Sequence, residues 1–516
     1  QSVAIGAYAL DSNTTGDYNT ALGYNALEAN STGSDNTAVG KGALEANTGG
    51  TNNTAVGKAC MDSNTTGSFN TAVGRNSLEK VTTQSYNTAF GYDCLTDNIS
   101  EATDAFGYKA LHANTTGVYN AAFGYNALAT CTTGTRNTAL GNSAMTALTT
   151  GQYNTAVGQI SLLSNTTGDQ NTALGKSALQ NNTTADDNTA VGYNSLVNCT
   201  TGNQNTCVGS TAGDAVSTGS NNTALGQTSL GSCTTGSSNT ALGRNSLGSI
   251  TTGSNCTAVG YQALHGNTSS SNTAVGYNCL LNNTGGDYQV ALGRGAGETN
   301  TTGARLCFIG YNASFSNTTG SYNTSVGYAA GYTGTTGVNN VKIGYEAGYF
   351  GSTGSNNCLV GKYAAGNITT GGNNTCIGAG AGADAVMAVT SHDDRIVMGN
   401  TDHTNAYIKI DWTVTSDKRD KIEDGTVDHG LDFVNKLDPK SFYFRKNRDS
   451  DEKTGQKRYG FYAQDILELE GSDNVIVDNE DPENLKYKGE HLVPVLVNAI
   501  KELSAKVEAL ESKLNN

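Results

Sequence analysis

The chain has 516 residues, 65 of them glycine, with three prolines, one tryptophan and only 15% charged side chains, against roughly 25% in an average globular protein. A net charge of −15 without any clustered basic face excludes an electrostatic footprint for nucleic acid. No apolar run is long enough for a membrane-spanning helix, so no membrane insertion is expected, and a start at Gln1 rather than Met leads us to expect an N-terminal part upstream.

From the N-terminus onward one glycine returns with the same left-hand neighbours: VAIG at Gly6, TALG at Gly23, TAVG at Gly40, Gly57 and Gly74, TAFG at Gly91, and so on to Gly378. The spacing is 17 residues, with two intervals of 16, over 23 copies. One period held that long is the signature of a solenoid, in which each unit is too small to bury a core and must stack on its neighbours. The predicted fold is therefore mainly β: a β-solenoid or β-roll rod over residues 1–385, a β neck over 386–415, and a small α+β domain over 416–516 with a terminal helix at 491–514. Twenty-three coils rising about 4.8 Å each would make a rod of about 110 Å. The absence of proline before residue 416 fits, because each backbone N–H is needed between coils.

The register suggests a job for each position. Val, Leu, Ile or Phe always precedes the glycine, and Leu or Met stands four after it in most early coils (Leu10, Leu27, Leu44, Met61, Leu78). These two rows are expected to fill the coil, placing Val39, Val56 and Val73 inside. Alternation then puts the Ala two before the glycine on the other strand face. Asn stands four before the glycine in 18 of the 22 copies from Gly23 onward and is expected to form an amide ladder. The TTG segments read as turns. The repeats resemble the β-roll heads of trimeric adhesins, whose units also carry Ala-Ile-Gly or Ala-Val-Gly. That resemblance implies trimeric packing.

All eleven cysteines lie between Cys60 and Cys376. None shares a register with a cysteine in the adjacent coil, and pairs two coils apart would be about 9.6 Å away, beyond disulfide reach. Free, partly buried thiols are expected, suited to folding in a reducing cytoplasm. A tyrosine row follows the glycine (Tyr24, Tyr92, Tyr108, Tyr125, Tyr193, Tyr261, Tyr277), and a second aromatic row precedes it by five (Tyr18, Phe69, Tyr86, Tyr119, Tyr153). These rows either stack on sugar rings of a cell-surface glycan or stabilise the rod by stacking between coils. In the neck, His392, Asp393, Asp394, Asp402 and His403 could offer a trimer enough donors for a metal, but they are expected to be ordinary polar residues on the surface of the neck. No metal and no cofactor is expected, and nothing in the rod argues for an enzyme.

The composition changes at residue 416: 38 of the chain's 75 charged residues fall in the last 101 positions. HGLDFVNKL reads as a helix stopped by Asp438-Pro439, SFYFR and KRYGFYAQ as paired strands, and AQDILELE as a second helix. Leu496, Ile500, Leu503, Val507, Leu510 and Leu514 step by four and three, an apolar heptad seam that needs partner chains or the rest of its domain. SDKRDK (416–421), LDPKSFYFR (437–445), YGFYAQDILELE (459–470) and LVPVLVNAIKELSAKVEALESKL (492–514) resemble the intramolecular chaperone domain, peptidase family S74, that ends phage tail spikes and fibres.

This resemblance implies a homotrimeric tail fibre in a virion, folded in the host cytoplasm. Its partners would be a host surface glycan or protein receptor and, through the upstream part, other virion tail proteins. It implies a single-turnover serine endopeptidase too, with Ser416 as nucleophile and Lys421 as base; Lys421 must then lose its proton through burial or a neighbouring cation, which Arg419 could supply. Attack by Ser416 Oγ on the Thr415 carbonyl passes through a five-membered ring and favours the Thr415-Ser416 bond; the family pattern allows the Asp417 side as well. The alternatives are a bacterial surface trimeric adhesin and a tailspike whose enzymatic domain lies outside this chain.

Overall fold

The computed structural model describes residues 1–384, 387–403, 406–407, 409, 415–445, 448–471 and 474–515. They divide into two compact units, one of residues 1–381 with 389–397 and one of residues 382–388 with 398–516.

The first unit is the solenoid. Each repeat contributes one three-residue strand, from β1 (Val3–Ile5) to β23 (Thr375–Ile377), and the strands join a single sheet with a twenty-fourth, β24 (Ile396–Met398), which lies in the span expected to be neck. Each strand pairs in parallel with the next in strict repeat register, as in Thr37 with Thr54, Ala38 with Ala55 and Val39 with Val56. The alternating stretch NAYIKIDWTV, 405–414, expected as neck strand, lies outside the described residues except at 406–407 and 409.

The assignment of the strand's faces is reversed relative to expectation. Ala38, Ala55 and Ala72, two before the glycine, are wholly buried, whereas Val39, Val56 and Val73 are only partly covered. A coil of seventeen residues encloses a bore so narrow that one large side chain per coil fills it. That side chain is the Leu or Met four after the glycine (Leu27, Leu44, Met61, Leu78, all 0% exposed), which closes over the strand's alanine methyl. The residue before the glycine then forms a column on the outer sheet face, beside the Thr column two positions earlier.

Where a bulky residue replaces the strand alanine, the position that pairs with it gives up volume. Phe308 replaces the strand alanine, and the residue eleven positions earlier is Gly297, where an added Cβ would meet Phe308 Cδ2 at 2.8 Å. Lys342 is matched by Gly331 and Leu359 by Gly348, each clashing at 2.8 Å if a Cβ were added. In these three coils interior volume is kept while the residue supplying it changes, as close packing demands.

Buried asparagines run through the coils in two files. In the expected one, Asn36 accepts on Oδ1 from the Asn53 backbone N–H at 3.0 Å and donates from Nδ2 to the Gly50 carbonyl at 2.8 Å. The other is the Asn of the NTTG turn, which makes the side-chain amide ladder itself: Asn47 Nδ2 to Asn30 Oδ1 and Asn64 Nδ2 to Asn47 Oδ1, both 2.8 Å. The strand-end glycine is obligatory. Gly57 has φ +146°, and a Cβ there would sit 2.3 Å from the Gly74 carbonyl oxygen of the next coil.

In the second unit, α1 (Leu431–Val434), the antiparallel pair β25 (Lys440–Arg445) and β26 (Lys453–Gly460), α2 (Ala463–Glu470), a small ladder of β27 (Val477–Asp478) with β28 (Lys486–Tyr487), and α3 (Leu492–Leu514) follow in order. Phe433, Ile466, Ile476, Val477, Leu492 and Val495 form its core. The first turns of α3 belong to that core. Its heptad seam does not: Ile500, Leu503, Val507 and Leu510 are 45–63% exposed. Among the described residues no helix is long and apolar enough to cross a membrane.

Candidate functional site

The serine at which the composition changes opens a single 3₁₀ turn, Lys418–Asp420. Asp417 caps it, accepting from the Arg419 backbone N–H at 2.8 Å, and the Lys421 N–H closes it on the Lys418 carbonyl at 3.3 Å. Such a turn folds the chain back over itself, so that residues five apart meet. Lys421 Nζ reaches Ser416 Oγ at 2.5 Å. The spacing that suggested a nucleophile and base therefore has the contact those roles need.

Arg419 departs from expectation. Its guanidinium is wrapped on the Asp417 carboxylate, with Nε 3.1 Å from both oxygens and Nη2 at 2.5 Å. This grip holds the Asp417 carboxyl below its usual range. Because the guanidinium charge is matched by Asp417, Arg419 orders the turn and does not serve as a free cation facing Lys421. Both dyad residues are exposed in the single chain.

Ser416 and Lys421 lie in the wall of an open cavity of about 550 Å³ shared with Asp428, His429, Glu490 and His491. His429 is fixed by stacking on Phe433, with centroids 4.3 Å apart, and by donation from Asn498 Nδ2 to its carbonyl at 3.0 Å. Glu502 of the same helix accepts the Leu431 N–H at 2.9 Å. Glu490 and His491 had no spacing motif in the sequence, because the stretch before α3 brings them to the dyad from some 70 positions away.

The tyrosine row lies on the rod surface, and its rings pack mostly on one another. Tyr92, Tyr108 and Tyr125 stack at 5.5 and 5.1 Å, and Tyr261 stacks on Tyr277 at 5.2 Å. Tyr24 meets Tyr8 edge-on and lies under Lys41. Tyr193 has no ring partner among the described residues, and 52% of it is exposed. In the second row Phe69 stacks on Tyr86 at 5.3 Å, and Arg136 sits between Tyr119 and Tyr153. Where rings stack, their faces are covered, so the row offers edges and hydroxyls outward.

The neck acids are engaged locally: Asp393 accepts the Gly372 N–H at 2.6 Å, Asp394 accepts from Asn373 Nδ2 at 2.7 Å, and His403 Nδ1 lies 2.7 Å from Asn400 Oδ1. Among the described residues no three His, Cys, Asp or Glu side chains are grouped to hold a metal. All eleven cysteines are free thiols.

Residues 416–475 match the family model described as chaperone of endosialidase, Peptidase_S74. No curated protein and no solved structure matches the chain. The match begins at the dyad serine and spans the turn, α1, the hairpin and α2. A chaperone-of-endosialidase domain carried behind a β-solenoid of stacked seventeen-residue coils is the architecture of a tail fibre or tailspike with a C-terminal chaperone.

Proposed function

We propose that the chain is the shaft of a homotrimeric adhesive tail fibre, that its C-terminal domain sets three chains in register, and that this domain then cuts itself off beside Ser416. The observation that carries the reading is the Lys421 Nζ to Ser416 Oγ contact of 2.5 Å at the first residue of the family match. Lys421 would take the hydroxyl proton as Oγ attacks the neighbouring carbonyl and would return it to the departing amine; a water would then hydrolyse the ester so formed, leaving a carboxylate and restoring the serine hydroxyl.

Trimerisation is supported by two apolar surfaces that the single chain leaves uncovered. One is the α3 seam. The other is the outer column of the sheet, including Leu22, Leu140, Leu174, Leu225 and Leu242, which are 40–49% exposed. It runs the length of the rod with one residue per coil, so a second and third copy in register would cover it throughout. The repeats make a one-coil slip cheap, which gives an aligning domain its use.

Expression of the full chain should yield a rod of about 415 residues and a fragment of about 100, and the Ser416→Ala and Lys421→Ala variants should remain intact trimers. Mass spectrometry of the new ends would choose between the Thr415-Ser416 and Ser416-Asp417 bonds. Wild-type trimers that stay uncut, or alanine variants that are still cut without added protease, would overturn the dyad assignment.

A further inference from the structure

Beyond the seven tyrosines read from the sequence, the row after the glycine continues without a gap over the last third of the solenoid. Tyr261 stacks on Tyr277 at 5.2 Å; the Arg294 guanidinium lies 5.6 Å from the Tyr277 ring and 5.5 Å from Tyr311. Tyr311, Tyr328 and Tyr345 then stack at 5.2 and 5.1 Å, and Lys362 Nζ lies 5.9 Å over Tyr345. Seven consecutive coils thus present an aromatic or a cation in one straight file. Over three of those coils a second file accompanies it, with Phe315, Tyr332 and Tyr349 stacked at 5.3 and 5.2 Å. A second such pair of files stands earlier in the rod, where Phe90, Phe106 and Phe123 stack at 4.9 and 4.7 Å in the same coils as Tyr92, Tyr108 and Tyr125.

Within each file the ring faces are covered by their neighbours, while Tyr311, Tyr328 and Tyr345 remain 39–48% exposed. What they offer is a line of phenol hydroxyls, one per coil, repeating at the coil rise. Glu346 accepts the Tyr345 hydroxyl proton and pushes its pKa up to about 12, which leaves that oxygen's lone pairs to accept from a ligand. A ligand using the whole line must repeat at the same step along its own axis. An extended peptide does not, since its same-face side chains recur at about 6.6 Å. A hexose polymer linked equatorially across the 1 and 4 positions does: it advances by very nearly one coil per sugar and carries hydroxyls at each step.

We infer that the twin file from Tyr261 to Lys362 is a binding track for an extended, 1,4-linked polysaccharide lying parallel to the rod axis, one sugar per coil. This rests on the adhesive reading above and names its ligand class. Each contact is a weak exposed hydrogen bond, and affinity comes from their number.

The test is calorimetric titration of the full chain with cellobiose, cellotetraose, cellohexaose and chitohexaose, with laminarihexaose as a hexamer whose 1,3 linkages curve it off the line. Affinity should climb about tenfold or more from the dimer to an extended hexamer and be weak for laminarihexaose. The Tyr311→Phe/Tyr328→Phe/Tyr345→Phe variant keeps the stacks and removes the hydroxyls, so it should lose about tenfold in hexamer binding at an unchanged melting temperature. No binding of either extended hexamer, equal binding of dimer and hexamer, or a phenylalanine variant that binds as wild type would each overturn the track. Adhesion of the wild-type fibre to host cells in that event would leave the fibre reading standing.

Discussion

The pairing of Phe308 with Gly297 makes the volume rule of the coil interior testable by a mutant cycle. Phe308→Ala empties space that a wholly buried ring fills and should cost about 3–5 kcal/mol. Gly297→Leu alone drives new atoms into Phe308 and Leu280, whose nearest carbons lie 2.8 Å from the position of the added Cβ, and should cost about 1–3 kcal/mol or more. The double variant recreates the pair formed one coil earlier by Leu280 and Ala291. The backbone is suited to it, since Gly297 at φ +60° and Leu280 at φ +50° share the left-handed region. Simple addition predicts a loss of about 4–8 kcal/mol, whereas the volume rule predicts a double variant within about 1 kcal/mol of wild type. Native-state hydrogen exchange read by mass spectrometry on peptides spanning 290–325 reports the local opening free energy that a whole-rod melt would blur. A double variant as unstable as the sum would refute the idea that total volume, and not the identity of each position, governs the coil.

Ala55→Asp should cost several kcal/mol in the rod because it places a carboxylate in the closed bore, while Val56→Asp should leave each chain's coils folded and weaken trimerisation; circular dichroism and analytical ultracentrifugation separate the two. Lys342 is buried and its pKa is lowered to about 8 by desolvation, so the charged form is penalised in the folded state below that pH and the penalty fades as pH rises from about 8 toward the unfolded value near 10.5. Relative to Lys342→Met, the wild-type rod should therefore gain roughly 3 kcal/mol of local stability between pH 7 and 10.5, measured by denaturant titration; a pH-independent difference would sink the assignment. Burial pushes the Cys60, Cys94 and Cys279 thiols up to about 12, so a thiol reagent should modify only the partly exposed Cys307 and Cys358 in native protein. Leu503→Glu with Leu510→Glu should abolish trimer formation by the released C-terminal fragment, checked by light scattering.

Much of this architecture could be read from the sequence because a repeat multiplies every local signal by 23. The period, the strand end at the glycine and the Leu file all follow from one register. The inner face was misread for a reason rooted in scale: hydrophobicity ranks Val above Ala, but a narrow bore selects for size, and one Leu per coil already fills it. The turn's asparagine ladder was hidden because NTTG satisfies a local turn pattern so well. In the C-terminal domain the helices and hairpin were plain, as was the Ser416 to Lys421 pairing, whose partners are neighbours in the chain. The pairing of Arg419 with Asp417, two residues away, was not anticipated from the spacing. His429, Glu490 and His491 depend on a tertiary contact with α3 that no short pattern encodes.

The parallel ladder also sets how such a fibre responds to force. Bonds between coils, such as Gly57 N–H to the Val39 carbonyl at 2.7 Å and Thr37 N–H to the Asn53 carbonyl at 2.8 Å, point along the rod and not across it. Tension between the rod's ends therefore loads the coils in series and peels them one at a time from a terminus. A freed coil of 17 residues extends to about 55–60 Å, more than ten times the roughly 4.8 Å it occupied when stacked. A tethered rod of this kind would lengthen in steps under a pull while its remaining coils kept their surface intact.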